Sequence, residues 1–125
     1  IFDGVDDRID FSSNLSNIIY NNFSFEFVAK PNATITASAE STSGIAGASG
    51  KRYIIEPTNE GSNGGFGIAL GTNAIECIEH GGSYLPVLLS HSANLSDINH
   101  YCVVVNDKKS RLYINGVLIK RRNRK

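Results

Sequence analysis

The stretch that most constrains the fold of this 125-residue chain lies near its C-terminal end, at residues 99–120. It reads NHYCVVVNDKKSRLYINGVLIK, in which two alternating apolar runs precede a third apolar run. A polar turn at residues 106–110 separates the first two runs, and the pair Asn115-Gly116 separates the last two. Alternation with a period of two is typical of half-buried strands, and Asn-Gly adopts the positive φ angles of a tight hairpin. The stretch therefore predicts a three-stranded β-meander, whose apolar face needs a second sheet to cover it.

Short strand-like runs separated by turn residues continue through the rest of the chain. Residues 23–30 alternate most strictly, with Phe23, Phe25 and Phe27 predicted on one face. Further runs predict strands at residues 2–11, 53–56, 66–70, 74–80 and 85–89. Residues 32–50, rich in Ala, Ser, Thr and Gly, predict a long loop or a weak strand. Because no amphipathic helical pattern appears, the sequence predicts an all-β fold, an antiparallel β-sandwich or jelly roll.

Charge and hydropathy exclude several classes of partner. The chain has 12 basic and 12 acidic residues, and five of the basic ones fall in residues 120–125. We interpret residues 121–125 as a solvated basic tail, because the body before them lacks the basic and aromatic surface of a nucleic-acid-binding module. No apolar run approaches the ~18 residues of a membrane span. The sequence thus predicts no nucleic-acid partner and no membrane span.

Four segments, taken in order, resemble one known family. They are FDGVDDRIDF (2–11), FSFEFVAKP (23–31), GGFGIALGTNAIECIEHG (64–81) and HYCVVVNDKKSRLYINGVLI (100–119). Together they resemble the laminin-G-like domains of the concanavalin A-like lectin and glucanase superfamily, which are jelly rolls common in bacterial surface and secreted proteins. The resemblance implies one such domain at residues 1–120, within a larger extracellular or cell-surface protein.

The same family's domains continue beyond the Asn-Gly hairpin with further strands, the last of which pairs with the first. The resemblance therefore implies a sandwich that lacks its C-terminal strands, so that the strand at residues 2–11 leaves an open sheet edge. Three explanations stay open: a fragment of a longer domain, a partner strand borrowed from another copy, or a tail that diverges in this protein. The second explanation implies a homo-oligomer that forms through an edge strand.

By resemblance, the expected function is non-catalytic recognition of a carbohydrate or protein ligand. The candidate contacts are aromatic, amide and imidazole side chains near predicted loops: Tyr20, Asn73, His80 and Tyr84. The alternative is a structural or assembly module that pairs through an open sheet edge. A degenerate glycoside hydrolase is disfavoured because no pair of catalytic carboxylates is recognisable. Glu76 and Glu79, for example, are three residues apart and so predicted on opposite faces of one strand.

Acidic and cysteine side chains raise two further questions, and no cofactor is expected. The densest acidic cluster consists of Asp3, Asp6, Asp7 and Asp10. A structural calcium, held by several concanavalin-like relatives, is one interpretation; turn-forming aspartates are the other, because the spacing fits no fixed calcium loop. Cys77 and Cys102 lack zinc-ligand spacing, so no metal site is predicted there. Each lies in an apolar run, which is typical of a free buried cysteine, and a cross-strand disulfide is the alternative.

Overall fold

The computed structural model of the chain describes residues 7–10, 21–58 and 65–122. The strands in these ranges are β1 (Asn22–Ala29), β2 (Tyr53–Ile55), β3 (Gly65–Leu70), β4 (Ala74–His80), β5 (Val87–Ser92), β6 (Asn99–Asn106), β7 (Lys109–Ile114) and β8 (Val117–Arg121). Sheet 1 has the order β1-β6-β7-β8 and sheet 2 the order β2-β3-β4-β5. Every pairing is antiparallel, and no helix occurs in the described ranges, so the predicted all-β antiparallel sandwich is confirmed.

The two sheets pack face to face through one apolar core. Sheet 2 contributes Ile68, Leu70, Ile75, Cys77 and Leu89, and sheet 1 contributes Tyr101, Val103, Val105 and Leu112. The alternation of β1 is confirmed, because its three phenylalanines pack against this core while the residues between them are exposed. The Phe27 ring stacks on that of Tyr101 with centroids 5.2 Å apart, which adds a preferred aromatic geometry to simple burial.

Two-residue turns connect the three strands of the predicted meander. Asp107 and Lys108 have φ angles of 48° and 63°, and Asn115 and Gly116 have 51° and 79°. Positive φ at both central positions defines the type I′ turn, whose twist matches that of the flanking strands. The first turn is shorter than the five polar residues predicted. It is supported instead by the Asn22 Oδ1, which accepts a hydrogen bond from the Asp107 N–H at 2.8 Å.

Some strand boundaries differ from those predicted. β5 begins at Val87 rather than at residue 85, directly after Pro86, whose nitrogen has no hydrogen to donate to a ladder. β8 includes Arg121, and the Arg122 N–H donates to the Ser110 carbonyl at 2.9 Å, so sheet 1 extends into the predicted tail. Residues 7–10 of the strand predicted at 2–11 are exposed and outside any strand. The remainder of that prediction lies outside the described residues.

Residues 32–51 form a loop that covers the outer face of sheet 2. Ile35 of this loop belongs to a second apolar cluster with Ala69, Ala74, Ile78 and Val87 of the sheet. The loop contains no strand, so the weak strand considered from its sequence does not form. Sheet 2 is thus covered on both faces, by sheet 1 on one side and by this loop on the other.

The cysteines are free, and their positions explain why they do not pair. Cys77 lies on the inner face of sheet 2, and Cys102 lies on the outer face of sheet 1. Burial raises the pKa of the Cys77 thiol to about 12, with added repulsion from the charges of Glu76 and Glu40. Cys77 therefore stays a protonated, apolar side chain of the core.

Candidate functional site

The two outer faces of the sandwich differ in what covers them. The 32–51 loop packs on sheet 2 through Ile35. Among the described residues, no core cluster, hydrogen bond or ion pair joins the outward side chains of sheet 1 to a residue outside that sheet, and we call its outer face the open face. Its outward side chains form rows across the strands: Ser24, Val104, Arg111 and Arg121; Glu26, Cys102, Tyr113 and Leu118; Val28 and His100. Strand alternation places them there, because their neighbours along each strand point into the core.

The open face is more apolar than a solvated sheet face usually is. Val28 is 62% exposed and Leu118 is 45% exposed, while Val104, Cys102 and Tyr113 are half-buried. Antiparallel sheets with one face in water normally place polar residues on that face. Cys102, Tyr113 and Leu118 are neighbours in the register, with Val104 two residues from Cys102, and a group of apolar side chains on an outer face is typical of a surface that contacts another molecule.

Two arginines stand directly opposite each other on this face. Arg111 of β7 pairs in register with Arg121 of β8, and both residues are exposed. Among the described residues, neither guanidinium has a hydrogen-bond or ion-pair partner. Like charges directly opposite on neighbouring strands destabilise a sheet. The arrangement therefore favours an anionic group bound from outside.

The single carboxylate in these rows already has a partner. The Glu26 Oε1 lies 2.6 Å from the His100 Nε2, and the two side chains are 69% and 36% exposed. Burial, together with the negative charge of Glu26, raises the pKa of the neighbouring Cys102 thiol. The carboxylate on the β1 side of the open face thus already has a neighbour within hydrogen-bond distance, and the β7–β8 side carries the two arginines.

A buried ion pair attaches the 32–51 loop to the opposite, covered face. The Lys51 Nζ lies 2.6 Å from the Glu76 Oε2, with the two side chains 1% and 0% exposed. The Glu76 Oε1 accepts hydrogen bonds from the Ser38 N–H at 2.6 Å and the Ser90 hydroxyl at 3.1 Å. Lys51 also donates to the Ser38 hydroxyl at 2.9 Å and to the Thr36 carbonyl. Both charges are fully satisfied by these contacts, which identifies the pair as a structural anchor of the loop.

The predicted contact residues lie away from the open face or outside the described residues. Tyr20 falls outside the described ranges. Asn73 lies in the β3–β4 turn, where its carboxamide accepts from the Ile35 N–H and donates to the Ile35 carbonyl, both at 2.9 Å. It therefore holds the 32–51 loop against sheet 2.

His80 and Tyr84 lie together at the other end of β4 from Asn73. The His80 Nδ1 is 3.0 Å from the Pro57 carbonyl oxygen, and the Tyr84 hydroxyl donates to the Glu79 Oε1 at 3.0 Å. Glu79 pairs with Phe66, whose ring packs on the inner core, so Glu79 and Glu76 lie on opposite faces as predicted. The structure brings two of the four predicted contacts to one rim and places Asn73 at the opposite rim.

Sequence reasoning did not identify the open face as a candidate site, although the sequence carries a signal for two of its β7 residues. Alternation around the buried Leu112 already places Arg111 and Tyr113 on one face of β7. The Asn-Gly turn alone would pair Arg111 with Lys120. An irregularity between Leu112 and Tyr113 in the β7–β8 register shifts that partner to Arg121, and no local sequence pattern indicates it.

Metal and membrane interpretations receive no support from the described part of the chain. No group of three or more His, Cys, Asp or Glu side chains that could hold a metal ion occurs there. Of the predicted acidic cluster, Asp10 pairs with Arg8 at 3.1 Å, while Asp3 and Asp6 lie outside the described residues. Within the same ranges, no helix is long and apolar enough to cross a membrane.

The fold defines the class of protein: a two-sheet antiparallel β-sandwich, in which the 32–51 loop covers the outer face of sheet 2. Comparison with models of protein families, with curated protein sequences and with solved structures finds no match for this chain.

Proposed function

We propose that this chain is a non-catalytic binding module that recognises a carbohydrate or protein partner through the open face of sheet 1. The observation that carries the proposal is the contrast between the two outer faces. The chain uses a loop of some twenty residues and a buried ion pair to cover sheet 2, yet leaves Val28, Tyr113 and Leu118 on the surface of sheet 1. An apolar sheet face that no described residue outside the sheet covers is typical of a surface for a partner.

The proposal includes the family and the location of the protein. A concanavalin A-like, laminin-G-like jelly roll within a larger extracellular or cell-surface protein is supported by the order of the four segments in the sequence. Two packed antiparallel sheets agree with that architecture at the level of the sandwich.

A binding role without catalysis is supported by the contacts of four glutamates, each of which has a partner elsewhere in the fold. Their partners are His100 for Glu26, Lys120 for Glu40, Lys51 for Glu76 and Tyr84 for Glu79. Glycoside hydrolysis needs two carboxyl groups that face one substrate bond, roughly 5–5.5 Å apart in retaining enzymes. Carboxylates held in separate structural contacts do not form such a pair.

Two libraries and one pair of matched variants test the proposal. The protein is applied to a glycan array and to a displayed peptide library, and each binder is measured again with Leu118→Glu and Ile54→Glu. Ile54 is the matched control, because it is an exposed aliphatic residue of sheet 2. We expect Leu118→Glu to abolish binding and Ile54→Glu to leave it within about twofold. No binder in either library, or binders lost with Ile54→Glu instead, would refute the proposal.

A second candidate function is assembly through a sheet edge. It is favoured by a difference between two edge strands, β5 of sheet 2 and β1 of sheet 1. On β5, the Ser90 N–H donates to Glu40 at 3.0 Å, and the Ser90 carbonyl accepts from Lys120 at 2.7 Å. The Arg122 guanidinium donates a hydrogen bond to the carbonyl of Leu88, which is also on β5. Side chains that occupy backbone groups in this way prevent another strand from pairing.

Among the described residues, no side chain occupies the backbone groups at the free edge of β1 in this way. Its eight residues pair with β6 without irregularity, and no described strand pairs with its other side. Phe23, Phe25 and Phe27 are only half-buried beside this edge. If β1 pairs with another copy, sedimentation velocity will show a concentration-dependent dimer that Ser24→Lys dissociates. A monomer at all concentrations would eliminate this candidate.

A further inference from the structure

The cross-strand pair Arg111–Arg121 has an energetic cost that no acidic residue in the described part of the chain offsets. The register places the two side chains directly opposite each other, so their Cβ atoms stand about 5 Å apart on one face. The other members of their row, Ser24 and Val104, are uncharged. Glu26, in the next row, lies 2.6 Å from His100. Two guanidinium groups therefore project from neighbouring strands without a described acidic partner.

Two neighbouring guanidinium groups are suited to binding the oxygen atoms of an anionic ligand. Each guanidinium offers N–H donors in a planar fork that matches the two oxygens of a carboxylate. Lys109, two residues before Arg111 on the same strand and also exposed, extends the positive charge toward the β6–β7 turn. The β7–β8 side of the open face thus presents three cations along two strands.

The row next to the arginines contains Tyr113 and Leu118, and its apolar character favours some anionic ligands over others. Tyr113 and Leu118 are opposite each other in the register, one row from the arginines. Cys102 lies beside Tyr113 on β6 and is half-buried. A sulfated or uronate polysaccharide would need cations and hydrogen-bond partners repeated along its length, whereas this row supplies an apolar surface. A polypeptide that presents acidic side chains next to apolar ones matches both rows.

We infer that the Arg111–Arg121 pair, with Tyr113 and Leu118 beside it, is the docking site for a segment of a protein partner that carries acidic and apolar side chains. This inference rests on the proposed function, because it assigns a ligand chemistry to the same open face. The arginines bind carboxylates and set orientation, and the Tyr113–Leu118 row buries the apolar side chains.

The test uses a fluorescent ten-residue peptide of alternating Glu and Val, measured by anisotropy against the whole chain. We expect Arg111→Gln and Arg121→Gln each to weaken binding about three- to tenfold, and the double variant about 10- to 100-fold. Arg52→Gln is the matched control, an exposed arginine outside sheet 1, and should stay within about twofold of wild type. Because removal of like-charge repulsion does not destabilise a sheet, the double variant should melt no lower than wild type.

Two further probes separate the competing ligands. Leu118→Ser should weaken the Glu-Val peptide more than poly-L-glutamate, because only the former buries apolar side chains. Binding of heparin that depends on both arginines, without binding of the peptide, would overturn the inference in favour of an anionic polysaccharide. Self-association that Arg111→Gln dissociates would assign the site to a second copy instead.

The inference and the proposed function can fail separately. If Leu118→Glu abolishes binding of a library partner while the arginine double variant binds it as wild type does, the open face stands as the binding surface. The assignment of an acidic segment to the arginine pair would then be wrong. If the Glu-Val peptide binds equally well to wild type and to the double variant, the inference is wrong as well.

Discussion

Lys51 and Glu76 offer the sharpest test of how the 32–51 loop is held on sheet 2. Both side chains are buried to within 1% of complete burial, and their charged atoms are 2.6 Å apart. Lys51→Met removes the cation and leaves the Glu76 carboxylate buried with only its hydrogen bonds from Ser38 and Ser90. Removal of one partner from a buried pair is far more destabilising than replacement of both.

The expected magnitudes follow from that asymmetry. Lys51→Met should lower the free energy of unfolding by about 3–5 kcal/mol, because an uncompensated charge stays in the interior. In the double variant Lys51→Met/Glu76→Gln, the amide oxygen of Gln still accepts from Ser38 and Ser90, and no charge is buried. We expect the double variant to lose only about 1–2 kcal/mol. The second substitution should therefore rescue the first.

Urea unfolding measures both quantities in one experiment. The chain has five tyrosines and no tryptophan, so far-UV circular dichroism and tyrosine fluorescence serve as independent probes of the transition. At about 4 °C per kcal/mol, Lys51→Met should melt some 10–20 °C below wild type. A loss below about 1 kcal/mol, or a double variant no more stable than Lys51→Met, would refute the conclusion that this pair anchors the loop as a buried charge pair.

Three further outcomes follow from single contacts. Asn73→Ala should cost about 2–3 kcal/mol in chemical unfolding, because it leaves the N–H and carbonyl of the buried Ile35 unpaired. Burial would raise the pKa of Glu40, but hydrogen bonds and nearby positive charges outweigh it, and its pKa lies below the usual value. Its contribution is therefore present above the ordinary carboxyl pKa and lost on acidification, so wild type should lose about 1 kcal/mol more than Glu40→Gln between pH 6 and pH 3. Iodoacetamide at pH 8 should modify Cys102 at least about tenfold faster than Cys77, as measured by peptide mass spectrometry.

Each of these three has a distinguishing control. Asn73→Asp keeps an acceptor for the Ile35 N–H, so its free energy of unfolding should fall between those of wild type and Asn73→Ala. Equal losses in the two variants would contradict the conclusion that Asn73 bonds both the N–H and the carbonyl of Ile35. Parallel pH curves for wild type and Glu40→Gln would show that this carboxylate contributes nothing to acid sensitivity. Cys77 should react only after urea unfolding, and fast labelling in the native state would contradict its place in the core.

The elements that alternation and turn chemistry specify locally were predictable from the sequence. The period of two in β1 follows from its phenylalanines, and the Asn115-Gly116 turn follows from the positive φ angles that this dipeptide tolerates. Both signals lie within a few consecutive residues. The inner and outer faces of β1, β4 and β7 could therefore be assigned before the structure was known.

The position of the covering loop and the pairing of Arg111 with Arg121 were not predictable, for a physical reason. Residues 32–51 contain few large apolar side chains, so hydrophobic periodicity carries no information about where they lie. They are placed by single contacts such as Lys51 to Glu76, between residues 25 positions apart. Likewise, the meeting of Arg111 with Arg121 depends on a register shift within β7–β8. Long-range polar contacts and register irregularities have no local signature.

The pairing of β1 with β6 also has a consequence for how this protein is made. Phe25 pairs with Val103, so the ladder partner that the structure describes for the aromatic strand is made only after most of the sandwich. At typical elongation rates, the NFSFEFVA strand waits on the nascent chain for roughly 4–15 seconds before β6 is available to pair with it. Glu26 in the middle of the strand, and Lys30 and Pro31 directly after it, are the kinds of residue that keep such a segment from aggregating. These three residues therefore protect the chain most during synthesis, before β1 is paired in the folded sheet.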